Sequence, residues 1–477
     1  MENYRPLLRK PNVSHSDRLA IRWLREHRGE VAVCDVDKGL GDAPFPRKWV
    51  SDKITVLLTE AFVQISREEY QSLVHTQRNI AMSAVISAQH AESLPHQTVK
   101  YLEASSRTGL PGSFRLRPKI HKTPIGARPV ANLTASWIQP FAIMLTEYLI
   151  PIQKTGCSVI CNTDEAISRF QDFNRSSKKS NLADEFLLGT IDAVNMYPSL
   201  CQKHLYETVG NHIDAFYGHK PILADCLIKV LHVILSCQVI AAQGSLWHCK
   251  QGIATGLAAG SLLANIYLLS LDRKIASMLT IFLRYIDDSF VLGTRKQINA
   301  AIEELNRFHV SLRWEPQQLG THSIAFLDTS LSFVNNEISW GLLFKPMNKF
   351  LYVPFNSCHP TATKNAIVFG EITRALRRCR FTSDALKHIE VLRTKFISRG
   401  YGNQLFNDSL LRALRTHDQP VTRCNAVRRH FVSVVHSSTT NYRLIRRACQ
   451  RLGTPVLIAK RAQKSIFRLM YRSNWLG

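Results

Sequence analysis

Apolar and polar residues alternate along this chain in two rhythms, and the change between them divides it into elements. Helical patterning predicts a short helix around Asp17–His27 and a long, mostly helical stretch over Tyr70–Glu103 that is interrupted at Pro95. It predicts further helices over Trp137–Ile152, Gln202–Tyr217 and Pro221–Val239, and one beginning near Ser261. Strand-like runs occupy the positions between them. Leu187-Leu-Gly-Thr-Ile leads into Asp192, and Leu283 to Leu292 reads Leu-Arg-Tyr-Ile-Asp-Asp-Ser-Phe-Val-Leu. The second run is apolar on both sides of an acidic pair, which predicts two short strands with Asp287 and Asp288 at the turn. Two adjacent carboxylates repel, so a cation is expected opposite them. Arg175–Asp184 reads as an exposed polar loop.

Composition narrows the picture. At 477 residues and 45% hydrophobic content the chain can build a real core, in two or three packed subdomains. Its formal charge of +25 points to a polyanionic partner, with nucleic acid ahead of a membrane surface. The excess is uneven: residues 361–477 hold 23 Lys/Arg against 5 Asp/Glu. Eleven cysteines without a CxxC pair read as reduced and mostly buried rather than metal-binding. The N-terminus has no apolar signal core, and Val230–Ala242 is too short to span a bilayer. A soluble intracellular protein is expected, with the nucleus ahead of the cytoplasm.

Candidate chemistry sits at four places. Around a Pro124–Gly126 turn, Lys119, Lys122 and Arg128 are placed so that a hairpin would aim three cations at one point. Asp192 stands at the end of an apolar strand, where a turn into a helix presents a carboxylate at a sheet edge, although an ordinary helix cap has the same sequence signature. Gln251-Gly252 opens a loop with glycines at 252, 256 and 260, which let backbone approach a ligand closely. In Glu371–Arg380, Ile372, Ala375, Leu376 and Cys379 share one helical face and Arg374, Arg377 and Arg378 the other, a nucleic-acid track given the surrounding charge.

The order of these pieces resembles the palm of reverse transcriptases: cationic hairpin, strand-end Asp192, Gln251-Gly252 loop, then Tyr285-Ile286-Asp287-Asp288 as the Tyr-x-Asp-Asp signature. Arg117-Pro-Lys-Ile-His-Lys122 before Arg128-Pro-Val resembles the Penelope-like retroelement group, which is related to telomerase. So do Ala325-Phe-Leu-Asp328, Ser357-Cys-His-Pro360 with Lys364, Gly370 and Arg374, Gly400-Tyr401, and Asp37-Lys38-Gly39. The likeness runs from about residue 30 to 405. Where that group has Gly-Ser-Pro-Leu-Ser-Pro, this chain has Gly256-Leu-Ala-Ala-Gly-Ser261, a loss of two prolines that should loosen the loop. Residues 402–477 contain no recognisable GIY-YIG endonuclease.

The resemblance implies an α+β right-hand polymerase. Its parts would be a mostly helical N-terminal extension (1–110), fingers (111–189), palm (190–340), a thumb with a helix-turn-helix-like module (341–410) and a basic helical C-terminal region (411–477). It implies an RNA-directed DNA polymerase extending a DNA primer on an RNA template with deoxynucleoside triphosphates. Asp192, Asp287 and Asp288 would hold two Mg²⁺ ions, with Mn²⁺ able to substitute. Lys119, Lys122 and Arg128 would meet the triphosphate, while Gln251 and Gly252 would line the nascent base pair and Tyr197 would exclude a 2′-hydroxyl. Lys296 and Arg313 are candidates for the general acid. An RNA-dependent RNA polymerase and a catalytically impaired or domesticated nucleic-acid-binding protein remain as alternatives. Oligomeric state is not legible.

Overall fold

The computed structural model describes residues 14–177, 186–357, 359–417, 430–435 and 456–461. They fall into two units, one made of residues 32–343 and the other of the first 31 residues with those from 344 to 472. Helix α1 (His15–Glu26), closed by a Ser14–Asp17 capping box, belongs to the second unit.

The larger unit starts with the paired strands β1 (Val31–Asp35) and β2 (Asp42–Pro46), joined through a tight 3₁₀ turn at Asp37–Gly39. Helix α2 (Arg47–Ala61) and strand β3 (Phe62–Ile65) follow. The long helical stretch divides into α3 (Arg67–His90) and α4 (His96–Ser105), with Pro95 at the break. Strands β4 (Gly112–Lys119) and β5 (Gly126–Asn132) form an antiparallel hairpin, and helices α5 (Gln139–Gln153) and α6 (Thr163–Ser177) come after it. Arg175 lies in α6, and the rest of the polar loop expected after it is outside the described residues.

Strand β6 (Phe186–Ala193) leads through the single turn α7 (Met196–Ser199) into α8 (Gln202–Tyr217) and α9 (Pro221–Ser236). Strands β7 (Val239–Ala242) and β8 (Ser245–Cys249) then join β3, β4 and β5 in a five-stranded sheet of order β3-β8-β7-β4-β5. Helices α10 (Gly260–Tyr267) and α11 (Leu269–Met278) precede the hairpin β9 (Ile281–Tyr285) and β10 (Asp288–Thr294). Helix α12 (Arg295–Arg307) and strand β11 (Trp314–Gly320) close a second sheet, of order β11-β6-β10-β9. Strands β12 (Ile324–Phe326), β13 (Thr329–Val334) and β14 (Glu337–Leu342) form a third.

The β11-β6-β10-β9 sheet is covered on both faces. Ile191, Phe282, Val291 and Trp314 belong to the main core, while Leu188, Leu283, Phe290 and Leu292 pack with Phe170 and Phe326 in another. A strand buried on both sides needs apolar residues on both faces, and this is why apolar and aromatic residues predominate on either side of the acidic pair, with Arg284 and Ser289 as the polar exceptions.

One charged side chain lies inside this packing. Arg284, on β9, is 0% exposed. Its Nε and Nη2 donate to the two carboxylate oxygens of Asp272 at 2.8 and 2.6 Å, Nη1 donates to Asn265 Oδ1 and to the Ile286 carbonyl at 2.8 and 2.9 Å, and Nη2 reaches the Asn265 carbonyl at 3.1 Å. All five guanidinium protons can be used in this way, so the buried charge is paired and saturated.

In the second unit, α13 (Thr361–Arg378), α14 (Thr382–Ile397) and α15 (Asn403–His417) pack together. Ile372, Ala375, Leu376 and Cys379 are all buried, the face their spacing predicted. Tyr401 donates its hydroxyl to the Val353 carbonyl at 2.8 Å, and the buried Lys364 ammonium donates to the Phe355 and Ser357 carbonyls at 2.6 and 2.7 Å. In the C-terminal region expected to be helical, the described stretches β15 (His430–Val435) and β16 (Val456–Arg461) are instead a parallel strand pair. The remainder of Arg443–Arg472 lies outside the described residues.

Removing Arg284 strands a buried carboxylate. Arg284→Ala is expected to lower unfolding free energy by about 3–5 kcal/mol, measured by urea denaturation, with Arg284→Lys recovering only part because an ammonium cannot span both Asp272 oxygens.

Candidate active site

Strand pairing brings the acids together. In β6–β10 pairing Asp288 is opposite Asp192, and in β11–β6 pairing Glu315 is opposite Asp192. The Asp287 carbonyl accepts from the Ala193 N–H at 3.0 Å, so the hairpin turn is tied to the end of β6. That turn is tight: Ile286 has φ of 60°, a left-handed conformation that β-branched side chains disfavour. The bond from Arg284 Nη1 to the Ile286 carbonyl holds it there. A buried guanidinium therefore holds the backbone next to Asp287.

The cation of the motif, Arg284, is turned into the core, and the neighbours of Asp192 are acidic. Its carboxyl is pushed up by burial first and then by Asp287 and Glu315. Glu315 did not emerge from the sequence. Its signal is the alternation Arg313-Trp314-Glu315: Trp314 is buried, which puts Arg313 and Glu315 on the opposite face, where they pair at 3.0 Å. Arg313 therefore stands next to the acidic group, whereas Lys296 is exposed in the first turn of α12.

Tyr197 follows Asn195, whose φ of 47° turns the chain out of β6. The phenol is half-buried and pushed up to about 12, by burial and then by Asp287 and Tyr285, which places it among the motif residues. The Gln251 loop packs on this turn. Gly252 has φ of 77°, and a Cβ there would collide with the Tyr197 carbonyl oxygen and meet Pro198 Cα at 2.6 Å. Ile253 N–H donates to that same Tyr197 carbonyl at 2.9 Å, while Gln251 itself is exposed.

The loop that lacks the two prolines is hydrogen-bonded to its surroundings. The buried Gln238 accepts from Ala254 N–H at 2.6 Å, Gln139 Oε1 accepts from Ala258 N–H at 3.3 Å, and Thr255 Oγ1 accepts from Ala131 N–H at 3.3 Å. A Cβ on Gly256 would strike the Ala131 carbonyl, so the loop lies directly on β5.

The three cations of the β4–β5 hairpin converge, around an acid. Arg128 Nη2 lies 3.4 Å from Asp37 Oδ2, and the Lys119 ammonium is pushed down by burial first and then by Arg128 and Lys122. The described contacts do not bring these cations onto Asp192; β5 links the two regions, carrying Arg128 and, further along, Ala131 against the Gln251 loop. In the second unit Arg374 pairs with Glu371 at 3.2 Å, Arg377 is exposed and Arg378 half-buried, so the expected row of arginines is not uniformly outward.

Asp192 and Asp287 offer hard oxygen donors with mutually unfavourable charge, the setting a divalent cation relieves. Among the described residues no group of three or more His, Cys, Asp or Glu side chains is gathered closely enough to hold a metal ion by itself. That is compatible with Mg²⁺, which keeps waters and substrate phosphates as ligands alongside one or two carboxylates. No helix among the described residues is long and apolar enough to cross a membrane.

Telomerase from Candida albicans, solved in complex with a TWJ fragment of telomeric RNA, superposes with a TM-score of 0.53 at 10% identity, covering 83% of this chain and 69% of that one. In fold, the chain resembles telomerase. Apo telomerase from Candida tropicalis matches with a TM-score of 0.48 at 14% identity, covering 83% of this chain and 69% of that one. The family described as "Animal helix-turn-helix domain" matches residues 351–411, spanning α13, α14 and most of α15. No curated protein matches the chain. The mixed α/β architecture is thus telomerase-like at the level of fold.

Asp192 carries a sign-definite pH dependence. Its folded-state pKa is raised, so the native state binds its proton more tightly than the unfolded chain does. Stability therefore falls as pH rises through the window between the unfolded value of 3.8 and the raised folded value. In metal-free buffer Asp192→Asn should be more stable than wild type at neutral pH, with the gap closing as pH falls through that window. Thermal melts from pH 4 to 8 with chelator check this; a variant no more stable than wild type at neutral pH refutes it.

Proposed function

We propose that this protein is an RNA-directed DNA polymerase of the Penelope-like kind, extending a DNA primer on an RNA template with deoxynucleoside triphosphates. The observation that carries the reading is the placement of Asp192 and Asp287. Asp192 at the end of β6 and Asp287 on the neighbouring hairpin turn lie at one end of a doubly covered sheet, next to an aromatic side chain and a glycine loop packed on its backbone.

When bound, two divalent ions would neutralise charge developing on the attacking 3′-oxygen and on the departing pyrophosphate. Asp192 and Asp287 would hold them, with Asp288 beside them in strand register with Asp192. Lys119, Lys122 and Arg128 would bind the triphosphate oxygens, Arg128 through a guanidinium fork suited to phosphate. Gln251, exposed on a loop whose backbone is fixed by Gly252, would line the nascent base pair. Arg313 is the better-placed candidate for protonating the leaving group, since its partner Glu315 flanks Asp192. The helix-turn-helix unit would bind nucleic acid through its basic surface.

Asp192→Asn and Asp287→Asn should each abolish primer extension on an RNA template while duplex binding persists. Either variant retaining more than about a tenth of the wild-type rate, a loss below roughly 1.4 kcal/mol, would sink the assignment. Tyr197 provides the sugar test, because it stands five residues after Asp192 beside Asp287. Tyr197→Ala should incorporate ribonucleotides far better than wild type while deoxynucleotide extension remains measurable. Loss of both activities together would make Tyr197 a packing residue, and a wild-type preference for ribonucleotides would favour an RNA polymerase.

A further inference from the structure

No residue of the segment Asp35–Gly39 has been given a role in the reaction, yet the segment meets the cationic hairpin at two points. Arg117 and Arg128 are directly opposite each other in the β4–β5 register, an unfavourable like-charge pair. Each is met by its own acid from the N-terminal segment: Asp35 Oδ2 lies 2.6 Å from Arg117 Nη2, and Asp37 Oδ2 lies 3.4 Å from Arg128 Nη2. The two acids differ in burial. Asp35 is half-buried, whereas Asp37 is 3% exposed and its buried Oδ2 makes no hydrogen bond.

A buried carboxylate whose oxygen lacks a hydrogen bond is held by charge alone, and the charges around it are numerous. Lys38, Lys119 and Lys122 act on the same small volume as Arg128, as the imidazole of His121 records: burial lowers it, Lys38 lowers it further, Asp37 opposes, and Lys122 and Lys119 lower it again. The turn itself serves this arrangement. Lys38 adopts φ of 61°, a left-handed conformation unusual for lysine, between the buried acid and Gly39. Four cations around one acid leave a net positive surface suited to a polyanion.

We propose that Asp37 is a positioning residue of a triphosphate site formed by Lys38, Lys119, Lys122 and Arg128, with Lys38 as its fourth cation. The assignment rests on the polymerase reading for its biological ligand, a nucleoside triphosphate. Asp37 holds Arg128 in place and screens the cations from one another before the ligand arrives. Simple Coulomb reasoning has the opposite sign: deleting a negative charge beside a polyanion site should tighten binding. The two effects are therefore separable in one variant.

Inorganic tripolyphosphate, titrated by calorimetry into the full chain without template or primer, is the probe. Wild type should bind it, Asp37→Asn should bind about tenfold more weakly, and Asp37→Asn combined with Arg128→Gln should bind no more weakly than Arg128→Gln alone. Tighter binding by Asp37→Asn, additive losses in the double variant, or no binding by wild type would each overturn the proposal. If Asp37→Asn does not fold by circular dichroism, Asp37→Glu replaces it. Glu retains the charge but displaces it by one methylene, so weaker binding is expected, and unchanged binding overturns the positioning role. In primer extension Asp37→Asn should raise KM for deoxynucleotide with kcat less affected. Should wild type bind tripolyphosphate with this pattern yet extend no primer, the polymerase reading fails and the Asp37 assignment stands.

Discussion

A single buried guanidinium governs the geometry of the acidic end of the sheet. Arg284 is two residues from the turn that carries Asp287, and it bonds at once to the turn, to α10 through Asn265, and to α11 through Asp272. A salt bridge in such a place contributes little net stability compared with apolar packing, because desolvation offsets its Coulomb energy. What it supplies is direction. An apolar residue could fill the same volume, but it could not hold the Ile286 carbonyl and so would leave the left-handed turn unsupported.

That constraint connects packing to chemistry. The sheet is covered on both faces, so β6 and β10 cannot shift register without expelling apolar side chains from one core or the other. Fixed register keeps Asp192 opposite Asp288 and Glu315, and the tied turn adds Asp287. Carboxylates placed in this way oppose folding, and the buried apolar side chains on both faces of the sheet offset that cost.

The approach to these acids is built from backbone contact rather than from side-chain bulk. Gly252 and Gly256 are needed where they stand because the Tyr197 and Ala131 carbonyls occupy the space a Cβ would take. Between them the loop is anchored by Gln238 and Thr255, and beyond Gly256 by Gln139, so contacts from other segments meet the loop that lacks two expected prolines.

Much of this was legible in the residues. Apolar and aromatic residues on both sides of Asp287 and Asp288 determined the hairpin, Pro95 marked the break between α3 and α4, and the spacing of Ile372, Ala375, Leu376 and Cys379 determined a buried face, because each depends on local sequence alone. The convergence of Lys119, Lys122 and Arg128 also follows from a hairpin that the Pro124–Gly126 turn encodes. Other features were decided only by the tertiary structure. That Arg284 turns inward to Asp272, that Glu315 flanks Asp192, and that the hairpin cations surround Asp37 are contacts between segments distant in sequence. Sequence patterning fixes which face of an element is apolar, since burial is a property of one strand or helix. It cannot fix which polar group meets which, because that depends on how elements far apart along the chain are brought into register by the cores they share.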